Sequence, residues 1–197
     1  MADALHADGK SKEYKPVNRH RQYLLCASKI GYNACMIEKS IQLVGRLAAL
    51  LSKRNLKICT AESCTGGLIA KSFTDLAGSS IWFERGFVTY SNAAKTEMLD
   101  VPESLIEDYG AVSEVVASAM ASGALQHSAA DLAIAVTGVA GPDGGSKEKP
   151  VGTVWIAHAS KEQLIAKKYL FPGDRDAIRQ ATLRQVIENQ LRFLETF

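Results

Sequence analysis

Leu132-Ala133-Ile134-Ala135-Val136 carries no polar residue that could face water. An alternating strand has one wet face; an uninterrupted apolar run of this length is what a strand covered on both faces requires. It therefore predicts a central strand in a sheet packed with helices on both sides. Upstream, Ser113 opens a stretch with Val115, Val116, Ala119, Met120 and Gly123 on one side of a helix. Downstream, after a glycine-rich loop over Gly138 to Pro150, Gly152 to Ala159 and Gln163 to Phe171 flank Ser160-Lys161-Glu162. That pattern predicts a hairpin, and so a mixed sheet.

The rest of the chain extends the alternation. Ile37, Ile41, Val44, Ala48 and Leu51 share one helical face, and Asn55 follows Lys53 and Arg54 as a stop. Leu56 to Thr60 reads as an alternating strand that runs into Gly66-Gly67, then into Leu68, Ile69, Phe73 and Leu76 at helical spacing. Trp82 to Tyr90 reads as a second strand before a short helix capped near Asn92, and a last helix from Asp174 presents Leu183, Ile187, Leu191 and Leu194. The expected fold is a single three-layer α/β/α domain over residues 36–197 with a mixed central sheet. Residues 1–35 show no sustained period and read as an appended, poorly ordered extension.

Composition narrows the function. The net charge of +2 is carried by the extension, where six Lys/Arg face Asp3, Asp8 and Glu13; the remaining 17 basic and 18 acidic residues nearly balance. A folded body without a basic excess argues against nucleic acid as a partner. No run reaches membrane-spanning length and no signal-peptide segment stands at the N-terminus, so neither membrane association nor export is expected. Cys26, Cys35, Cys59 and Cys64 form no Cys-x-x-Cys pair and suit a reduced, cytoplasmic setting. His6, His20, His127 and His158 have no metal-ligand spacing. No metal and no cofactor are expected, and a Ser-His-Asp triad is poorly supported.

Chemistry in such folds gathers where strands hand over to helices. Glu62-Ser63-Cys64-Thr65-Gly66-Gly67 is one such turn. It would hold Ser63 beside backbone donors from Thr65, Gly66 and Gly67, although a plain turn with Thr65 as helix cap fits the same letters. A second is Thr137-Gly-Val-Ala-Gly-Pro-Asp-Gly-Gly145, which matches neither a P-loop nor a dinucleotide fingerprint. A third is Tyr90-Ser91-Asn92 with Lys95 in the first turn of a helix, where the dipole disfavours a cation. Ser63 and Lys95 make a candidate nucleophile–base pair if the fold joins their loops. Cys64 is the rival nucleophile, although packing is the commoner role for such a residue.

Residues 37 to about 195 resemble the C-terminal domain family of the competence/damage-inducible protein CinA, whose stand-alone members are nicotinamide-nucleotide amidases. The resemblance rests on Thr60 to Gly67, Gly86 to Lys95, Gly110-Ala-Val-Ser113, Thr137 to Gly145, Pro150 to Val154 and Phe171-Pro-Gly-Asp-Arg175, in that order. It implies hydrolysis of nicotinamide mononucleotide to nicotinic acid mononucleotide and ammonia. It further implies Ser63 as nucleophile, with Lys95 and Tyr90 as proton-handling neighbours in an order left open. Thr65, Gly66 and Gly67 would serve as oxyanion or phosphate donors, and Asn92 is counted with the substrate-binding positions. Arg175 and the loop containing Gly141, Gly144 and Gly145 would hold the ribose phosphate or a neighbouring subunit, and a homo-oligomer is expected. Full-length CinA proteins carry a further N-terminal domain that 35 residues cannot encode, so a stand-alone form is expected. A non-catalytic pyridine-nucleotide binder and an amidase for another small carboxamide are the competing readings.

Overall fold

In a computed structural model, residues 40–195 are described, all within the compact unit Glu38–Phe197. The expectations for residues 1–35, and for Ile37, lie outside the described residues. Five strands form one sheet: β1 (Ile58–Glu62), β2 (Phe83–Val88), β3 (Leu132–Gly138), β4 (Thr153–Ala159) and β5 (Leu164–Leu170), in the order β2-β1-β3-β4-β5. β1 runs parallel to β2 and β3, whereas β4 is antiparallel to β3 and to β5. The apolar run 132–136 thus occupies the middle strand, and the hairpin supplies the antiparallel part of a mixed sheet.

Helices cover both faces, and side-chain size separates them. Ile58, Leu132, Ile134, Val136, Val154 and Ile156 face α1 (40–54), α2 (Leu68–Thr74) and α6 (Arg175–Glu195). Their strand neighbours Cys59, Ala61, Ala133, Ala135, Ala157 and Ala159 face α3 (Asn92–Leu99), α4 (Glu103–Tyr109) and α5 (Glu114–Gln126). α5 answers with Ala117, Ala121 and Ala124, so small residues meet small residues and the layers approach closely. At Gly123 a Cβ would stand 1.9 Å from the Leu99 carbonyl oxygen, which explains glycine in mid-helix.

Several boundaries shift from the sequence reading, each for a physical reason. β1 begins at Ile58 because the Leu56 amide bonds back to Leu51 O and closes α1, with Asn55 left-handed at φ 52°. β1 also continues through Glu62, and it is buried at all five positions rather than alternating. A carboxylate reads as a strand end, yet this one is absorbed by amides described below. Ile41 is 59% exposed, and the buried stripe of α1 runs through Val44, Leu47, Ala48 and Leu51 instead. Trp82 is buried at the end of the exposed turn 79–81 before β2, its ring 5.3 Å from Phe73. α4 was not anticipated: seven residues after Pro102, with only Ile106 buried, give no readable period. The helix start at Ser113 stands as read, its Oγ accepting from Val116 N, while the last helix begins at Arg175, one residue later than read, because Asp174 caps it by accepting from Ala177 N through Oδ1.

The chain leaves β1 through α2 on one face and leaves β2 through α3 on the other. The carboxyl ends of these parallel strands therefore open onto a crevice between diverging connections, where α/β folds place ligands.

Candidate active site

Three strand ends converge at that crevice. Glu62 pairs with Val88 on one side and Val136 on the other, so Ser63 and Thr89, just past their strands, stand level with Thr137 near the end of β3. Ser63 N donates to Val136 O at 3.0 Å, which carries the Ser63 loop one step past the sheet. Its Gly66 amide folds back onto Ser63 O at 3.1 Å, closing a four-residue turn with Cys64 and Thr65 at its centre. Gly66 (φ 59°) and Gly67 (φ 90°) then take two consecutive left-handed conformations into α2, a path that side chains with a Cβ resist.

Glu62 holds this path in place. Its side chain is fully buried, Oε2 accepting from Gly67 N and Ile69 N at 3.0 Å each and Oε1 from Ala70 N at 2.8 Å. The N-terminal end of a helix attracts an anion, and here the anion is part of the protein. This changes the expected role of the glycine pair. The Gly66 amide is engaged by Ser63 O and the Gly67 amide by Glu62, so neither is free to meet a ligand. The Cys64 and Thr65 amides, at the turn's centre, have no acceptor among the described residues. The Thr65 side chain is itself fully buried, its hydroxyl without a partner among the described residues.

Lys95 arrives from the opposite layer. Ser91 Oγ accepts from Ala94 N and caps α3, so the cap lies one residue before Asn92 and Lys95 stands at the end of the first turn. The Lys95 side chain is 1% exposed, and Nζ donates to Ser63 Oγ at 3.2 Å, Thr89 O at 3.0 Å and Ser91 O at 3.4 Å. No carboxylate pairs with it among the described residues. Desolvation pulls its pKa below the usual 10.5 of an amine. The ring of contacts also suits the neutral form, whose two N–H bonds can serve the two carbonyls while its lone pair accepts from the Ser63 hydroxyl. Cys64 behaves differently. It is 6% exposed within the core cluster, and burial raises its thiol pKa to about 12, which removes the thiolate a nucleophile needs.

The remaining sequence candidates divide. Tyr90 is 62% exposed, and its hydroxyl accepts from Arg175 Nη2 at 3.1 Å, while Arg175 Nη1 donates to Gly141 O at 2.8 Å. One guanidinium thereby ties the loop after β2 to the loop after β3. Gly141 is buried at φ 76°, whereas Gly144 and Gly145 lie on the exposed part of that loop and Asn92 is exposed at the start of α3. Two residues that sequence reasoning passed over also belong here. Glu62 stands inside the turn quoted from the sequence, where no pattern assigns it a role of its own. Arg179, on α6, donates to Thr65 O through Nε at 3.1 Å and Nη2 at 2.6 Å, and no local pattern links positions 114 apart.

Among the described residues no group of three His, Cys, Asp or Glu side chains could hold a metal ion, and no helix is long and apolar enough to cross a membrane. Comparison with known proteins gives a consistent answer. The CinA C-terminal domain model matches residues 40–194. The nicotinamide-nucleotide amidohydrolase PncC of Enterobacter agglomerans is 53% identical over 164 residues, covering 78% of this chain and all of that protein. Its namesake from Escherichia coli K12 is 55% identical over 144 residues, 72% of this chain and 87% of that one. The crystal structure of the competence/damage inducible protein CihA from Agrobacterium tumefaciens superposes with a TM-score of 0.76 at 44% identity, over 78% of this chain and 94% of that chain. With its motifs, its sheet and its extent all matched, the chain belongs to the CinA C-terminal domain family.

Proposed function

We propose that the chain hydrolyses the carboxamide of nicotinamide mononucleotide, releasing ammonia and nicotinic acid mononucleotide, with Ser63 as covalent nucleophile and Lys95 as its base. The observation that carries this reading is the buried Lys95 Nζ, without a carboxylate partner among the described residues, 3.2 Å from Ser63 Oγ. The relatives named as nicotinamide-nucleotide amidohydrolases supply the substrate class. Ser63 Oγ attacks the carboxamide carbon as its proton passes to neutral Lys95, and the oxyanion forms against the Cys64 amide. Collapse expels ammonia, which takes the proton back from Lys95. Water, deprotonated by the same amine, then cleaves the nicotinoyl ester and frees Ser63. Tyr90 is the weaker candidate base, since its oxygen accepts from Arg175 and is largely in solvent. Arg175, with guanidinium donors beyond the two bonds above, and the Gly141 loop are suited to the substrate phosphate.

Ammonia release from nicotinamide mononucleotide, nicotinamide riboside, nicotinamide and unrelated carboxamides, assayed in EDTA, tests the reading. The mononucleotide should be the preferred substrate, chelation should leave turnover intact, and Ser63→Ala should abolish release while still binding the mononucleotide. Near-normal turnover in Ser63→Ala would refute the nucleophile, and an equal rate with every carboxamide would refute the substrate.

A further inference from the structure

A chain of hydrogen bonds that begins on α6 ends beside Ser63. Arg179 directs two N–H groups, at 2.6 and 3.1 Å, onto the carbonyl of Thr65. The same peptide unit contains the Gly66 amide, which donates to Ser63 O at 3.1 Å. That carbonyl in turn shares its peptide unit with the Cys64 amide, which has no acceptor among the described residues. In a trans peptide the C=O and N–H point in opposite directions. The two units are therefore aligned head to tail, with a guanidinium at one end and an open N–H at the other. The residue after a catalytic serine is well placed to donate to an oxyanion, because its amide sits next to the attacking oxygen.

We propose that Arg179 is a positioning residue for the hydrolysis: it locks the 63–66 turn and polarises it so that the Cys64 amide donates more strongly to the oxyanion. This rests on reading Ser63 as the nucleophile on a carboxamide. Three features support it. Arg179 forms no ion pair among the described residues, so its charge is not spent on a carboxylate. Its bond is to backbone, from a helix of 21 residues that cannot easily follow a loop movement. Glu62 fixes the far end of the same loop, so the turn is held on both sides and the free amides cannot drift. The polarising effect matters only when negative charge develops at the substrate oxygen, and so it acts on the chemical step rather than on binding.

The magnitude follows from two general quantities. One oxyanion donor is worth about 10²- to 10³-fold in kcat, and a relayed hydrogen bond adds about 10–30% to its neighbour's strength; Arg179→Met removes the first relay and leaves the Gly66–Ser63 bond in place, a loss of about 2- to 8-fold. The test compares the unaltered chain with Arg179→Met, which keeps the stem, and Arg179→Lys, which keeps the charge but cannot make the forked contact. Arg179→Met should lower kcat within that range and leave KM for nicotinamide mononucleotide within about twofold, with Arg179→Lys in between. A structural defect alone would not reproduce the second readout. The aldehyde analogue of the mononucleotide adds Ser63 Oγ to its carbonyl carbon, passing the serine proton to Lys95 and placing an oxyanion in the turn. Its affinity should fall by the same factor as kcat/KM, while affinity for nicotinic acid mononucleotide stays unchanged. Normal kcat in Arg179→Met overturns the proposal, as does a raised KM with kcat preserved, which would make Arg179 a substrate ligand. If Arg179→Met proves unfolded by its thermal transition, the folded Arg179→Lys variant decides by the same two readouts. Failure of the unaltered chain to release ammonia is a separate result that overturns the carboxamide reading itself, and this inference with it.

Discussion

Glu62→Gln replaces one carboxylate oxygen by an amide nitrogen without changing the side chain's shape. The carboxylate accepts three backbone N–H bonds, two on Oε2 and one on Oε1. A glutamine can turn its single oxygen toward Gly67 and Ile69, but its NH2 then faces the Ala70 N–H, donor against donor. The two retained bonds lose their charge assistance, about 1 kcal/mol each, and the orphaned donor costs about 1–3 kcal/mol. Relief from burying a charge returns part of this, leaving a net loss of about 2–4 kcal/mol. For a domain of this size that corresponds to a fall of about 4–16 °C in Tm. Urea unfolding followed by circular dichroism reads the stability, and ammonia release on the still-folded variant reads the loop. The expected outcome is a lowered midpoint at unchanged m-value together with a reduced kcat, because α2 and the Ser63 turn share this anchor. A midpoint equivalent to a change under about 0.5 kcal/mol, with kcat intact, would show that water replaces the carboxylate without loss and that Glu62 does not organise the loop.

Lys95→Met should reduce kcat at least about a hundredfold with a smaller effect on substrate affinity; a variant that raises KM alone would make Lys95 a ligand instead. Because burial lowers the amine's pKa, its neutral form is present at lower pH than in a free lysine, so kcat/KM should rise with pH through a single limb centred below 10.5, and a flat profile would exclude it as base. His158 is 4% exposed with Nδ1 2.7 Å from Gln190 Oε1, and burial pulls its pKa from 6.5 to about 4. Below pH 6.5 the unfolded chain binds a proton that the folded chain refuses. Stability should therefore fall as the pH drops from 6.5 toward 4, by up to about 3 kcal/mol, and His158→Gln should flatten that slope in urea titrations; parallel slopes would contradict the assignment. A chain begun at Met36 should retain folding and turnover, and insolubility or a large loss of rate would place residues 1–35 in the domain.

The fold was legible wherever a local period carried it. Residues 132–136 announced a strand covered on both faces, Ser160-Lys161-Glu162 a hairpin turn, and Ser113 a helix start, because burial and capping leave their signature within a few neighbouring residues. α4 left none, since a two-turn helix with one buried residue is set by its neighbours. The site followed the same division. Ser63, Lys95 and the glycine-rich turns could be named from the chain alone, as residue types suited to nucleophile, base and tight loops. That Lys95 loses its water and reaches Ser63 from the other face of the sheet depended on β1 and β2 lying side by side with their helices diverging. The same packing decided which amides remain open. Glu62 takes the Gly67 donor, the turn takes Gly66, and Arg179 reaches Thr65 across 114 residues, leaving the Cys64 and Thr65 amides without an acceptor among the described residues. Hydrogen-bond partners far apart in sequence are chosen by three-dimensional proximity, and competition among them for a few donors has no local trace in the order of residues.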